Sequence, residues 1–152
     1  MYPAKKIRRK TGEGTQYAAL CFRTRKGRKV EILLVTSRKT GRWIPPKGWP
    51  MKGKSPEMAA AQEAFEEAGV KGQVHDFALG RYRYHRENPS MSKISAEAYI
   101  FPLEVKKLAK DFKEKGQRKV KWFSPKKAAM LVREPKLKRI IRKFDPALLK
   151  TG

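Results

Sequence analysis

Three glutamates, Glu63, Glu66 and Glu67, lie within five positions of a chain that has 14 acidic residues against 38 basic ones. On a helix turning about 100° per residue they share one face. Like charges three and four positions apart repel by about 0.2–0.5 kcal/mol per pair. A hard divalent cation, Mg²⁺ or Mn²⁺, reverses that cost, because carboxylates and water are its preferred ligands. In so basic a protein the ion's other partner is expected to be phosphate, whose oxygens the metal neutralises while activating water for in-line attack. A solvated acidic face is the competing reading of the glutamates alone, and the segment in front of them decides between the two.

That segment is Gly48-Trp49-Pro50-Met51-Lys52-Gly53-Lys54-Ser55-Pro56. Ser55-Pro56 predicts a helix start, the serine capping free N–H groups and the proline fitting the first turn. Gly69 ends the helix, since glycine takes the left-handed C-terminal conformation without strain. A helical wheel sets Met58, Ala61, Phe65 and Ala68 opposite the glutamates, so Met58 and Phe65 are expected to face a sheet. Ala59 and Ala60 flank the acidic face and leave room for a ligand.

The rest of the chain must hold this loop and helix. Thr15–Arg23 and Val30–Ser37 read as a hairpin with a cationic tip at 24–29, and the continuous run Ile32–Val35 suits a strand covered on both faces. Pro45 and Pro46 stiffen an extended approach to Gly48 and forbid a helix there. Strands are expected at Val74–His85 and Ile94–Val105, split by a turn at 87–90. A short helix is expected at Lys106–Phe112, a last strand at Arg118–Phe123 and a helix from Ser124-Pro125 to about Val132. Leu137, Ile140, Ile141 and Phe144 predict a C-terminal amphipathic helix. This order predicts an α/β (α+β) fold, a mixed sheet flanked by helices. Residues 1–14 read as a basic arm, 15–146 as one domain and 147–152 as a tail.

Gly48 to Val70 resembles the Nudix box, G-x5-E-x7-R-E-U-x-E-E-x-G-U with U aliphatic. Gly48, Glu63, Glu66, Glu67, Gly69 and Val70 occupy matching positions, and Ala64 is a small occupant of the first U. Further stretches, among them Ala19–Arg23, Leu33–Val35, Arg42-Trp43-Ile44, Glu66–Gly72 and Trp122-Phe123, are similar to the diphosphoinositol polyphosphate phosphohydrolase branch. The resemblance implies an α/β/α sandwich and Mg²⁺- or Mn²⁺-dependent hydrolysis of a phosphoanhydride in a diphosphoinositol or dinucleoside polyphosphate. It also implies that Glu66 and Glu67 are metal ligands, with Glu63 a ligand or the group that handles the attacking water. Two positions depart from the signature: Lys54 stands for its first glutamate and Gln62 for its arginine. Each change removes one partner of an acid–base pair between loop and helix, so the two are read as coupled. Family members also recruit an acid outside the box; Lys121 holds one such place, which leaves Glu97 and Glu114 as candidates.

The formal net charge of +24 implies an anionic partner, either a polyphosphorylated small molecule or nucleic acid. Arg38, Lys39, Arg42, Lys47 and the Gly48 backbone are the nearest candidates for gripping phosphate. The hairpin tip, Arg81 and Arg83 could extend that grip, and the basic C-terminal helix (Lys136, Lys138, Arg139, Arg142, Lys143) could bind nucleic acid, although docking explains its Leu/Ile/Phe stripe. Trp43, Trp49, Tyr82 and Tyr84 read either as packing residues or as stacking partners for a base. No apolar run approaches the roughly 20 residues that span a bilayer, and no signal-peptide pattern stands at the N-terminus. A cytoplasmic protein without a membrane partner is expected, its oligomeric state left open. Cys21 is the only cysteine and reads as a buried, inert thiol. Two alternatives to the small-molecule hydrolase remain: removal of pyrophosphate from RNA 5′ ends, and a non-catalytic nucleic-acid-binding module on the same scaffold.

Overall fold

The apolar runs build a sheet whose two faces are both covered. The computed structural model describes residues 13–88 and 91–150. Along β1 (Glu13–Arg25) the side chains alternate: Ala18, Leu20 and Phe22 enter one core, and Tyr17, Ala19 and Cys21 the other. β2 (Lys29–Thr36) divides Ile32 and Leu34 from Leu33 and Val35 in the same way, and all four are fully buried. The expected two-sided burial of this run is therefore present. β1 and β2 form the hairpin, with Cys21 opposite Leu33 and Arg25 opposite Lys29. Its tip lies eight residues along β1 from Tyr17, the partner of Gly48, which is about 26 Å of strand. The tip cations are thus too far along the hairpin to extend a phosphate grip at Gly48.

β3 (Trp43–Ile44) pairs with β2, and β4 (Lys47–Gly48) pairs with β1. α1 (Pro56–Ala68) follows and leads into β5 (Val70–Val74), then β6 (Gly80–Asn88) and β7 (Met91–Leu108). β8 (Val120–Phe123) pairs with β2, and α2 (Pro125–Leu131) and α3 (Pro135–Lys143) close the fold. The central pair, β1 with β7, is parallel, and the other pairings among the described residues are antiparallel. α1 covers the core of Tyr17, Ala19, Leu33 and Phe101; α2 and α3 cover the core of Leu20, Phe22, Ile100 and Leu137. The result is the expected mixed sheet between helical layers.

Four expectations are corrected. The strand expected at Val74–His85 is two strands, β5 and β6, that run in succession against β7. His75 and Leu79 bracket the break by donating to the carbonyls of Pro102 and Ile100. Pro102 has no N–H to return on that side, so the ladder opens there. The helix expected at Lys106–Phe112 does not form: Val70 and Lys71 pair with Leu108 and Lys107, which keeps 106–108 in β7, and an irregular loop follows. Ser55 precedes α1 but makes no side-chain cap; Ala59 N–H closes the first turn on its carbonyl. Finally, α1 buries Ala59, Ala60, Ala64, Ala68 and Glu67, whereas Met58 is 47% exposed and Phe65 half-buried. A face of methyl groups lets the helix backbone lie close to the sheet, and that closeness turns Met58 outward.

Of the segments expected at the ends, 1–12 and 151–152 lie outside the described residues, as does the centre of the turn at 87–90. Glu13 and Gly14 already belong to β1, paired with Ser95 and Ala96. Among the described residues no helix is long and apolar enough to cross a membrane.

Candidate active site

The site begins where β4 meets α1. A Cβ built on Gly48 would lie 2.0 Å from Glu63 Oε2, so the Glu63 carboxylate rests on bare glycine backbone. Only a glycine permits that approach. One turn on, Glu67 enters the core, 4% exposed, with Oε1 buried and without a hydrogen-bond partner. Glu66 stays half-buried, accepting the Gln62 amide at 2.9 Å with Lys113 Nζ at 3.9 Å. The helix ends at Gly69, φ 73°, whose N–H is donated back to Ala64 and Phe65. Gly69 is also crowded by Phe112 and the Ala109 carbonyl, so a side chain there is doubly excluded.

The electrostatics follow from burial. Desolvation, then the charge of Glu66, raises the pKa of Glu63, against a hydrogen bond with Glu67. Glu67 is pushed up to about 8, chiefly by desolvation with Glu63 adding to it, while Arg118 and Lys47 oppose. Lys47, half-buried on the neighbouring strand, is lowered by desolvation against the pull of Glu67 and Glu134. Its Nζ stands 4.7 Å from the centre of the Tyr84 ring. A buried carboxylate held neutral, with one orphaned oxygen beside a second carboxylate, suits a hard cation that would ionise both. Among the described residues no three His, Cys, Asp or Glu side chains form a ready-made cage. Magnesium needs none, since it keeps several waters and takes one or two carboxylates.

Arg118 and Glu134 escaped the sequence reading as parts of this site. Arg118 is a largely buried arginine whose Nε meets Glu114 Oε1 at 2.9 Å, Nη1 the Thr36 carbonyl at 3.0 Å and Nη2 Glu67 Oε2 at 3.9 Å. Glu134, buried ahead of α3, lies 3.6 Å from Arg42 Nη1. The i, i+4 spacing of Glu114 and Arg118 was the available signal for the first; one glutamate before a proline gives none for the second.

The other candidates separate. Glu114 comes to the site: its N–H donates to the Glu66 carbonyl, and its charge raises both Glu63 and Glu67. Glu97 instead pairs with Arg81 on β6 at 3.7 Å. Arg38 reaches Gln117 at 2.9 Å and Glu114 at 3.9 Å, beside the end of α1, while Lys39 is exposed on the turn. Trp43 packs edge-on to Phe123, and Tyr82 and Tyr84 are buried, which favours packing over stacking for these three. Cys21 is fully buried and its thiol pKa is raised by desolvation, so the inert reading holds.

The chain is similar to known proteins. A model of the NUDIX domain matches residues 14–147. The mouse diphosphoinositol polyphosphate phosphohydrolase 3-alpha is 37% identical over 109 residues, 70% of this chain and 61% of that one. The Arabidopsis thaliana mitochondrial Nudix hydrolase 12 is 29% identical over 119 residues, 76% of this chain and 59% of that one. The chain thus spans about three fifths of the length of these curated relatives. The crystal structure of the C. elegans Ap4A hydrolase superimposes with a TM-score of 0.60 at 22% identity, covering 89% of this chain and 97% of that one.

Proposed function

We propose that this chain, which belongs to the NUDIX family, is a metal-dependent pyrophosphohydrolase. It cleaves a phosphoanhydride in a polyphosphorylated small molecule of the diphosphoinositol polyphosphate or dinucleoside polyphosphate type. The observation that carries this reading is Glu63 seated on bare Gly48 with the partly orphaned Glu67 one turn away. Relatives named for both substrate types support the class.

Glu66 and Glu67 would hold Mg²⁺ or Mn²⁺ together with water, leaving Glu63 to handle the attacking water. The bound ion supplies charge neutralisation at phosphate and a water of lowered pKa. The protein's own groups do the remaining work. Gly48 lets the Glu63 carboxylate stand against the strand, where it accepts a proton from water. Arg118 fixes Glu67 and Glu114 in place. Lys47 offers a cation beside the carboxylates, with Arg38, Lys39 and Arg42 on the adjoining turn for further phosphate oxygens. The Gly48 backbone lines the same side.

The test is a turnover screen with Mg²⁺ and Mn²⁺ over dinucleoside polyphosphates, inositol pyrophosphates, nucleotide sugars and 5′-triphosphate RNA. Phosphate release that disappears in Glu67→Gln supports the reading. Turnover confined to 5′-triphosphate RNA would move the substrate to RNA ends. No turnover of any diphosphate, together with tight salt-sensitive RNA binding, would replace the enzyme with a binding module.

A further inference from the structure

A groove of about 480 Å³ runs between α3 and the connection from β5 to β6, on the face of the sheet away from α1. Its floor is apolar and partly aromatic, with Phe77, Leu79, Ile140 and Phe144. One wall is cationic: Lys136, Arg139 and Lys143 lie on a single face of α3 and are exposed. They are spaced by about 4.5 and 6 Å along the helix axis, so they form a line rather than a cluster. Asp145, the acid at the groove's end, is turned to the backbone, accepting the Ala147 N–H at 3.0 Å. An adjoining hollow of about 520 Å³ shares Lys136 and is also lined by Arg83 and by Arg81, which pairs with Glu97. The two acids that line this hollow are both matched, Glu97 to Arg81 and Glu134 to Arg42.

We propose that this groove binds single-stranded nucleic acid. A line of cations tracks a phosphate backbone, while the half-buried Phe77 offers a ring to a base, the pairing of features that single-strand sites share. Phe144 packs edge-on to Phe22 and belongs to the core. A duplex is too broad for a groove one helix face wide. Leu148, 65% exposed at the rim, is the one strongly protruding apolar side chain among the lining residues, and anionic vesicles are therefore an arm of the test. The groove lies away from the carboxylates of α1, although Glu134, which acts on Lys47, lines the adjoining hollow; strand binding measured without metal does not depend on the hydrolase reading.

The experiment measures fluorescence anisotropy of a labelled oligouridylate in EDTA, so that turnover plays no part. The native chain is expected to bind the strand, with the matching single-stranded DNA as a second arm that separates RNA from DNA as the source. The triple variant Lys136→Gln, Arg139→Gln, Lys143→Gln is expected to lose affinity by roughly tenfold or more, and its log–log salt slope to fall by about two. Phe77→Ala, at a half-buried floor position, is expected to weaken binding by roughly fivefold or more through lost stacking. A control variant, Arg25→Gln, Lys26→Gln, Lys29→Gln, removes the same charge from the hairpin tip and is expected to bind as the native chain does. Equal losses in the two triple variants would overturn the site, because general basicity would then account for binding. So would a preference for duplex, or capture by anionic phospholipid vesicles without affinity for either strand.

Discussion

Glu67 is a carboxyl group with one oxygen sealed from both water and partners, and its pKa of about 8 follows from that burial. Because the folded chain holds this proton more tightly than the unfolded chain does, stability of the metal-free protein falls as pH rises from about 4.5 to about 8. Glu67→Gln keeps the shape and removes the charge. It is expected to flatten that part of the pH profile in thermal denaturation, raise Tm at pH 8, and cut turnover by about a hundredfold or more. A variant that loses turnover with an unchanged pH profile would mean that another group carries the titration. Gly48→Ala acts on the other carboxylate. The added methyl collides with the Glu63 carboxylate rather than with backbone, so the side chain swings away. The expected result is loss of turnover with a small change in urea midpoint; a fully active Gly48→Ala enzyme would remove Glu63 from the mechanism.

At the scale of the element, α1 is set by signals that local chemistry makes plain. Ser55-Pro56 and Gly69 bound it, and the spacing of three glutamates marks its working face. Which face turns inward was not legible, because the buried side consists of alanines and a glutamate, and hydrophobic periodicity gives such residues little weight. Met58 and Phe65 lie opposite the glutamates on the wheel and are expected inside on that ground, but Glu67 itself is on the buried side. The true contact predicts its own test: Ala64→Leu overpacks the helix against the sheet and costs about 1–3 kcal/mol, read as a lower urea midpoint at unchanged m-value. The same substitution at exposed Met58 should leave the midpoint within about 0.5 kcal/mol. Strand limits were readable where apolar alternation continues, as in β1 and β2, and not where three lysine or leucine residues at 106–108 stay extended only because β5 pairs with them. Lys54 and Gln62 pose the remaining question of this loop and helix. Gln62 reaches forward to Glu66, while Lys54 is exposed with its N–H on the Met51 carbonyl. If the two departures are coupled, Lys54→Glu with Gln62→Arg is more stable than the single changes sum to. Additive midpoints in the double-mutant cycle would sink the coupling.

Across the whole molecule the charge of +24 hides as much as it reveals. It implies an anionic partner from composition alone. It also made Arg118 unreadable, since one structural arginine among 38 cations differs from the rest only by being buried between Glu114, Thr36 and Glu67. The ion pairs of Arg23, Arg38, Arg42, Arg81 and Arg118 with acids nearby leave a large uncompensated excess, because the acids number only 14. Such an excess acts over distances comparable with the Debye length, about 10 Å at 0.1 M salt, and it draws polyanions toward the surface before any contact forms. The chemistry proposed for Glu63, Glu66 and Glu67 would take place in a partly buried site, where salt screens much less. The two steps should therefore separate with ionic strength. Raising monovalent salt from about 0.01 M to about 0.15 M is expected to raise KM for a polyphosphate substrate by about tenfold while kcat stays level. A fall in kcat at constant KM would locate the salt-sensitive step at the carboxylates and their metal, and the surface charge would then have to serve another partner.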